Sequence, residues 1–289
     1  MSATQPMIDA ATLQARLAAG EPLQLLDVHF DLVDATAGER GFAERHLPGA
    51  AYLHLDHVLS SAKTGLNGRH PLPGRELLAQ RLSSLGLRDD APVVVYDSAG
   101  GMFAARAWWM LRWLGLDRVT GVQVLDGGLP AWVAAGGALQ SGAAAPWPAR
   151  DAFRLREPSV GLVGYAALRA GLGQPGRQIV DARAADRFRG ENETLDPVGG
   201  HIPGALNRPF KDNLAADGRF KPLDILRTEW QALMAGRSPD QLVMQCGSGV
   251  TACHHLLALA ALGLDGATLY AGSWSEWCAQ PDAVIATGA

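Results

Sequence analysis

The sequence predicts an α/β protein built from two duplicated domains, each a central, mainly parallel sheet flanked by helices. Three observations carry that reading. Short apolar runs of strand character alternate with longer helical patterns along the whole chain. The second half repeats the first: His46-Leu47-Pro48-Gly49-Ala50 is answered by His201-Ile202-Pro203-Gly204-Ala205, and Gly115-Leu116-Asp117 by Gly263-Leu264-Asp265. Finally, 289 residues, 48% of them hydrophobic, are enough for two cores and large for one domain.

Taken in order, Thr12 to Ala19 reads as a helix closed by Gly20, and Leu23 to Val28 as an apolar strand. A helix is expected over Glu76 to Leu85, followed by a buried strand over Val93 to Tyr96 that ends on Asp97. After a small-residue loop through Gly101, Ala104 to Leu114 is strongly apolar at helical spacing, and its Trp108, Trp109 and Trp113 read as core or interface. Val122 to Leu125 gives a further strand, and Leu129-Pro130-Ala131-Trp132 a helix start after Gly127-Gly128. The second half repeats this with helical Tyr165 to Leu172, a strand at Gln178 to Asp181, and Leu242 to Gln245 in the place of Val93 to Tyr96. Gly272 with Trp274 and Trp277 parallels Gly128 with Trp132. Gly136 to Pro158, with Pro146-Trp147-Pro148, is rich in Ala, Gly and Pro and reads as an irregular linker. Trp147 and Phe153 are expected to hold it against the surface, because leaving them in water is costly. The expected division is an N-terminal domain over 1–138, a linker over 139–158 and a C-terminal domain over 159–289.

Composition narrows the function classes. A net charge of −4, from 25 basic and 29 acidic residues without a basic block, makes no electrostatic case for nucleic acid. No apolar run is long enough to span a bilayer, so no membrane is expected. The first residues lack the basic and apolar regions of an export signal. Cys246, Cys253 and Cys278 are an odd set without a disulfide-framework spacing. Both features point to the cytoplasm.

The chemistry is concentrated in Leu242 to Leu262. The apolar run Leu242-Val243-Met244 delivers Cys246 into a loop with Gly247 and Gly249, and an amphipathic helix is expected from Val250 onward. Glycines at those positions allow the N–H groups of residues 247–251 to turn inward toward the sulfur. With the positive end of the following helix, they favour thiolate over thiol, and a thiolate is a nucleophile. The loop itself holds no cation: Ala252 and Cys253 stand where a cysteine-dependent phosphatase ends its loop on arginine, which disfavours that chemistry. Asp97 occupies the position of Cys246 in the first half and cannot attack sulfur, so that half is expected to be catalytically inactive.

Cys246-Gly247-Ser248-Gly249-Val250-Thr251-Ala252 resembles the active-site loop of the 3-mercaptopyruvate sulfurtransferases, relatives of rhodanese, and the tandem repeat extends the similarity over nearly the whole chain. The resemblance implies two rhodanese-like domains, the first inactive, and a sulfurtransferase that carries sulfur as a persulfide on Cys246. It implies catalytic roles for Ser248, His70 and Asp56 as a proton relay, a chemically coherent arrangement of hydroxyl, imidazole and carboxylate. It also implies substrate binding by Arg187 and by the loop residues Gly247, Gly249, Val250 and Thr251. Arginine suits a planar carboxylate because its forked donors match both oxygens. Thiosulfate-type rhodaneses carry basic residues after the nucleophile, where this chain has Gly247-Ser248. A second substrate arginine is expected nine residues past Arg187, but that position is Asp196.

His46 and His201, duplicated in both halves, read as structural turn residues. His254 and His255 are adjacent on a helix and point about 100° apart, so no metal site is expected there. Cys253 reads as a small helix-packing residue. The expected reaction moves sulfur from 3-mercaptopyruvate or a related small anionic donor to a thiol such as thioredoxin, to a small thiol or to cyanide, with no organic cofactor. Thiosulfate:cyanide sulfurtransfer is the alternative donor reading, and a non-catalytic sulfur-carrier or binding module the alternative from another class.

Overall fold

The structure is a computed structural model that describes residues 5–143, 147–148, 153–174 and 176–288. By packing, the chain divides into two compact units: Met1–Ser61 with Pro73–Ser159 and Ala216–Phe220, and Ala62–Leu72 with Val160–Ala215 and Lys221–Ala289. Each unit therefore takes a short segment from the other half of the sequence.

The first unit runs β1 (Met7–Ile8), α1 (Ala10–Ala18), β2 (Gln24–Asp27), α2 (Ala37–Glu44), β3 (Ala51–Tyr52), α3 (Arg75–Ser84), β4 (Val93–Tyr96), α4 (Ala104–Trp113), β5 (Val122–Leu125) and α5 (Gly128–Ala134). The second repeats it with β6 (Gly161–Val163), α6 (Tyr165–Ala170), β7 (Gln178–Asp181), α7 (Ala185–Arg189), β8 (Leu206–Asn207), α8 (Leu223–Met234), β9 (Leu242–Gln245), α9 (Ala252–Ala261), β10 (Thr268–Tyr270) and α10 (Ser273–Trp277). Both sheets are parallel, in the orders β1-β5-β4-β2-β3 and β6-β10-β9-β7-β8. Their registers agree: Asp27 stands opposite Tyr96 as Asp181 stands opposite Gln245.

The strands β2, β4, β5 and β9 are buried along their whole length, as a parallel sheet covered on both faces requires. Asp9 caps α1, its carboxylate accepting from Thr12 N–H at 2.8 Å. The first core gathers Leu13, Leu25, Val94, Tyr96, Leu125 and Trp132, and the second Leu168, Ile179, Val243, Tyr270, Trp274 and Trp277. His46 stacks on Phe42 at 4.0 Å and His201 on Phe188 at 3.8 Å, each bonding its partner's carbonyl through Nδ1. Both imidazoles are thus committed to the turns that carry them.

One expectation is corrected. The helix after Cys246 is not amphipathic: α9 buries every residue from Ala252 to Leu259. Its two polar side chains are satisfied internally. Asn213 Nδ2 donates to Nδ1 of His254 at 3.1 Å and of His255 at 2.9 Å, and His255 Nε2–H donates to the Arg208 carbonyl at 2.8 Å. Of the expected linker, Pro146 and residues 144–145 and 149–152 lie outside the described residues. Trp147 Nε1 donates to the Gly49 carbonyl at 3.2 Å, and Phe153 N–H to Ser83 Oγ at 2.7 Å, so the described part lies on the first unit. Among the described residues, no helix is long and apolar enough to cross a membrane.

Candidate active site

Open parallel sheets place ligands at the carboxyl ends of their strands, where the strand order reverses. In the second unit that point lies between β7 and β9, and β9 ends on Cys246. The loop turns back on the sulfur: Gly249 N–H donates to Cys246 Sγ at 3.2 Å. Gly249 has φ +77°, and a Cβ there would collide with the Ala271 carbonyl, so both conformation and space demand glycine. Cys253, the second residue of α9, donates its thiol to the Gly249 carbonyl at 3.3 Å and fastens the loop from behind. Val250 is buried, and Thr251 precedes the first residue of α9.

Beneath Cys246 lies a residue that the sequence did not single out. Ser273 adopts φ +55°, rare for a residue with a side chain, and its Oγ accepts from Cys246 N–H at 3.0 Å while donating to the Tyr270 carbonyl at 2.9 Å. The Cys246 and Gly247 carbonyls accept from Trp274 and Ser275 N–H, each at 2.9 Å. The pairing of Gly272 with Gly128 read from the repeat is corrected by one residue: Ser273 occupies the place of Gly128, whose φ is also +55° and whose successor Leu129 donates to the Asp97 carbonyl.

Ser248 and His70 meet inside the second unit, Ser248 Oγ standing 2.8 Å from His70 Nδ1 with both residues buried. His70 arrives on the segment 62–72. That segment is pinned by Arg69 N–H to Ser275 Oγ at 2.9 Å, by Gln280 Nε2 to the Leu66 carbonyl at 2.8 Å, and by Gly68, where a Cβ would press on the Gly272 carbonyl at 2.8 Å. Asp56 belongs to the first unit, where its N–H donates to His54 Nδ1 at 3.1 Å.

Two guanidinium groups stand over Gly247. A Cβ on that glycine would lie 2.9 Å from Arg69 Nη2 and 3.6 and 3.7 Å from the terminal nitrogens of Arg187. Arg187 is held by Glu193, which takes both its Nε and Nη2, and lies 3.4 Å from Asp196. Arg69 pairs with Asp196 through Nη1 and also donates to the Leu195 carbonyl at 3.3 Å. Burial pushes the Glu193 carboxyl up, but hydrogen bonds from Arg187 and the Leu195 N–H outweigh it and hold it below the usual glutamate range. Arg183 lies 3.5 Å from the same Glu193 but is not among the groups nearest Gly247. It is buried against Asp181 and the Gly200 carbonyl, 2.7 Å from each, and lies over the Trp274 ring. Arg189 pairs with Glu191 in solvent. Among the described residues, no three His, Cys, Asp or Glu side chains are grouped to hold a metal ion.

In the first unit, Asp97 takes the place of Cys246. Its Oδ1 accepts from the N–H groups of Ala99 and Gly101 at 2.8 and 2.9 Å, and its Oδ2 from Phe103 and Ala104 at 2.8 and 2.9 Å. The loop of this fold is thus an anion cradle, filled here by the chain's own carboxylate.

The rhodanese-like domain family matches residues 9–135 and 165–280. The chain is 50% identical to a Pseudomonas aeruginosa protein named "Probable 3-mercaptopyruvate sulfurtransferase", over 100% of both chains. It is 32% identical to the thiosulfate sulfurtransferase of Gallus gallus, over 93% of this chain and 90% of that one. The crystal structure of SseA from Escherichia coli, described with the rhodanese fold of the 3-mercaptopyruvate sulfotransferases, superposes with a TM-score of 0.78 at 32% identity, covering 94% of this chain and 99% of that one. With duplicated sheets, paired loops and full-length similarity in agreement, the chain belongs to the rhodanese-like family, among its tandem two-domain sulfurtransferases.

Proposed function

We propose that this sulfurtransferase takes sulfur from 3-mercaptopyruvate and carries it as a persulfide on Cys246. The observation that carries the reading is the contact of Ser248 with His70 on the loop that holds the nucleophile. When the Cys246 thiolate attacks the thiol sulfur of 3-mercaptopyruvate, a new S–S bond forms, the C–S bond breaks and pyruvate enolate departs. The enolate carbon needs a proton, and the donor's own thiol has one to lose. A hydroxyl bonded to an imidazole can move it between them. Thiosulfate makes no such demand, because sulfite leaves as a stable anion. In this reading Arg187 holds the donor's carboxylate, and Gly247, Gly249, Val250 and Thr251 shape the cradle around the sulfur. Asp56 is assigned to the relay on family resemblance. A thiol acceptor, thioredoxin or a small thiol, or cyanide, then attacks the outer sulfur and regenerates Cys246.

The first unit is read as a non-catalytic domain, with Asp97 in the nucleophile's place. The sequence limits proposed for the two domains are 1–138 and 159–289, although residues 62–72 pack with the second unit and 216–220 with the first. Three cysteines, none of them in a disulfide, suit the cytoplasm. Thiosulfate is the second donor reading, favoured by relatives that carry its name. Replacing Cys246 by Ser is expected to abolish turnover with both donors while leaving the melting temperature unchanged. Mass spectrometry of the wild-type protein should show one added sulfur on Cys246, lost on addition of a thiol. Retained activity in the variant would refute the assignment, and a higher kcat/KM for thiosulfate would exchange the donor.

A further inference from the structure

We propose that Arg69 is the second arginine that grips the donor's carboxylate, with Asp196 as its positioning residue. The inference rests on the reading of the donor as a small carboxylate. Position 196, where an arginine was expected, carries an acid, and that acid pairs with a cation brought in by the segment 62–72. The two carboxylates at 193 and 196 take Nε and Nη2 of Arg187 and Nη1 of Arg69. Left over are Arg187 Nη1 and Arg69 Nη2, and both face Gly247, next to the nucleophile. Arg69 Nε is buried and meets no acceptor among the described residues. An arginine placed only to neutralise Asp196 has no reason to aim unbonded donors at the reactive loop. Two converging N–H donors match the two oxygens of one carboxylate.

Gly247 belongs to the same arrangement. A side chain at 247 would press on the Arg69 guanidinium and make it shift, so a basic residue carried by the loop itself would compete with Arg69 for the same space. The charges also set a preference. Arg69 and Arg187 are balanced by Glu193 and Asp196 before any donor arrives, so a doubly charged donor meets no surplus of positive charge. A monocarboxylate with a neutral thiol suits the site better than a dianion.

The test compares Arg69→Ala, Arg69→Lys and the exchanged pair Arg69→Asp with Asp196→Arg, assayed with 3-mercaptopyruvate and, for loading of Cys246, with an uncharged organic persulfide. Arg69→Ala is expected to raise KM for 3-mercaptopyruvate about 10- to 100-fold with kcat changed only a few-fold, the loss of one charge-assisted hydrogen bond. Loading from the uncharged persulfide should fall by no more than a few-fold, Arg69→Lys should recover part of the loss, and the exchanged pair, which retains both the ion pair and a cation, most of it. An unchanged KM in Arg69→Ala, or an equal loss with both donors, would overturn the proposal. If the wild-type protein loads from the uncharged persulfide but not from 3-mercaptopyruvate, the donor reading itself fails, and this inference falls with it.

Discussion

At the scale of single residues, the site depends on backbone conformations that most side chains resist. Ser273 is the sharpest case. It holds a left-handed conformation that costs a non-glycine residue roughly 1–3 kcal/mol, and it returns an acceptor to the buried Cys246 N–H. Ser273→Ala keeps the strain and loses the acceptor, whereas Ser273→Gly loses the acceptor but relieves the strain. Chemical denaturation should therefore show Ser273→Ala as the less stable of the two, by about 1 kcal/mol, with kcat/KM reduced in both. Equal midpoints would show that the conformation is unstrained. Much of this was legible from residue types. The Cys246 loop needs its glycines, and the structure sets His70 against Ser248. Arg69 was not legible, because its meaning depends on a segment of the first half folding into the second unit.

At the scale of elements, the apolar runs of the buried strands announced themselves, whereas α8 at Leu223–Met234, the longest helix among the described residues, was not read from the sequence, nor were the shortest strands. The strands Val93–Tyr96, Val122–Leu125, Gln178–Asp181 and Leu242–Gln245 stand where the apolar runs placed them. β1, β3 and β8 have two residues each, too few for any period to show. The expected polar face of α9 failed for a related reason: adjacent histidines mimic a solvated stripe, but Asn213 pairs both inside the core. That pairing makes the helix sensitive to pH. Burial brings the His255 imidazole down to about 3, against roughly 6.5 in the unfolded chain. The unfolded state therefore binds the extra proton first, so the contribution of His255 is complete above about pH 6.5 and declines as pH falls toward 3. The slope is at most about 1.4 kcal/mol per pH unit. His255→Gln should flatten the stability profile between about pH 6 and 4. A profile as steep as that of the wild type would show that His255 is not the titrating group.

At the scale of the whole molecule, duplication has left two copies of one cradle with different contents. In the first, the Asp97 carboxylate receives four backbone N–H donors and is fully buried. Asp97→Asn turns an amide NH2 toward donors that need an acceptor. It is expected to destabilise the protein by about 2–4 kcal/mol, read as a lowered denaturation midpoint. Sulfur should still load on Cys246 under folding conditions. A neutral substitution would show that those N–H groups find other acceptors.

The exchange of short segments between the units has a practical corollary for anyone wishing to divide the gene. A fragment beginning at the linker would possess its thiol yet lack the strip bearing Arg69 and His70, while the complementary fragment would forfeit residues 216–220. Each piece would thus be short of a strip that packs into it, and discarding the first half would take His70 from beside Ser248 and Arg69 from over Gly247.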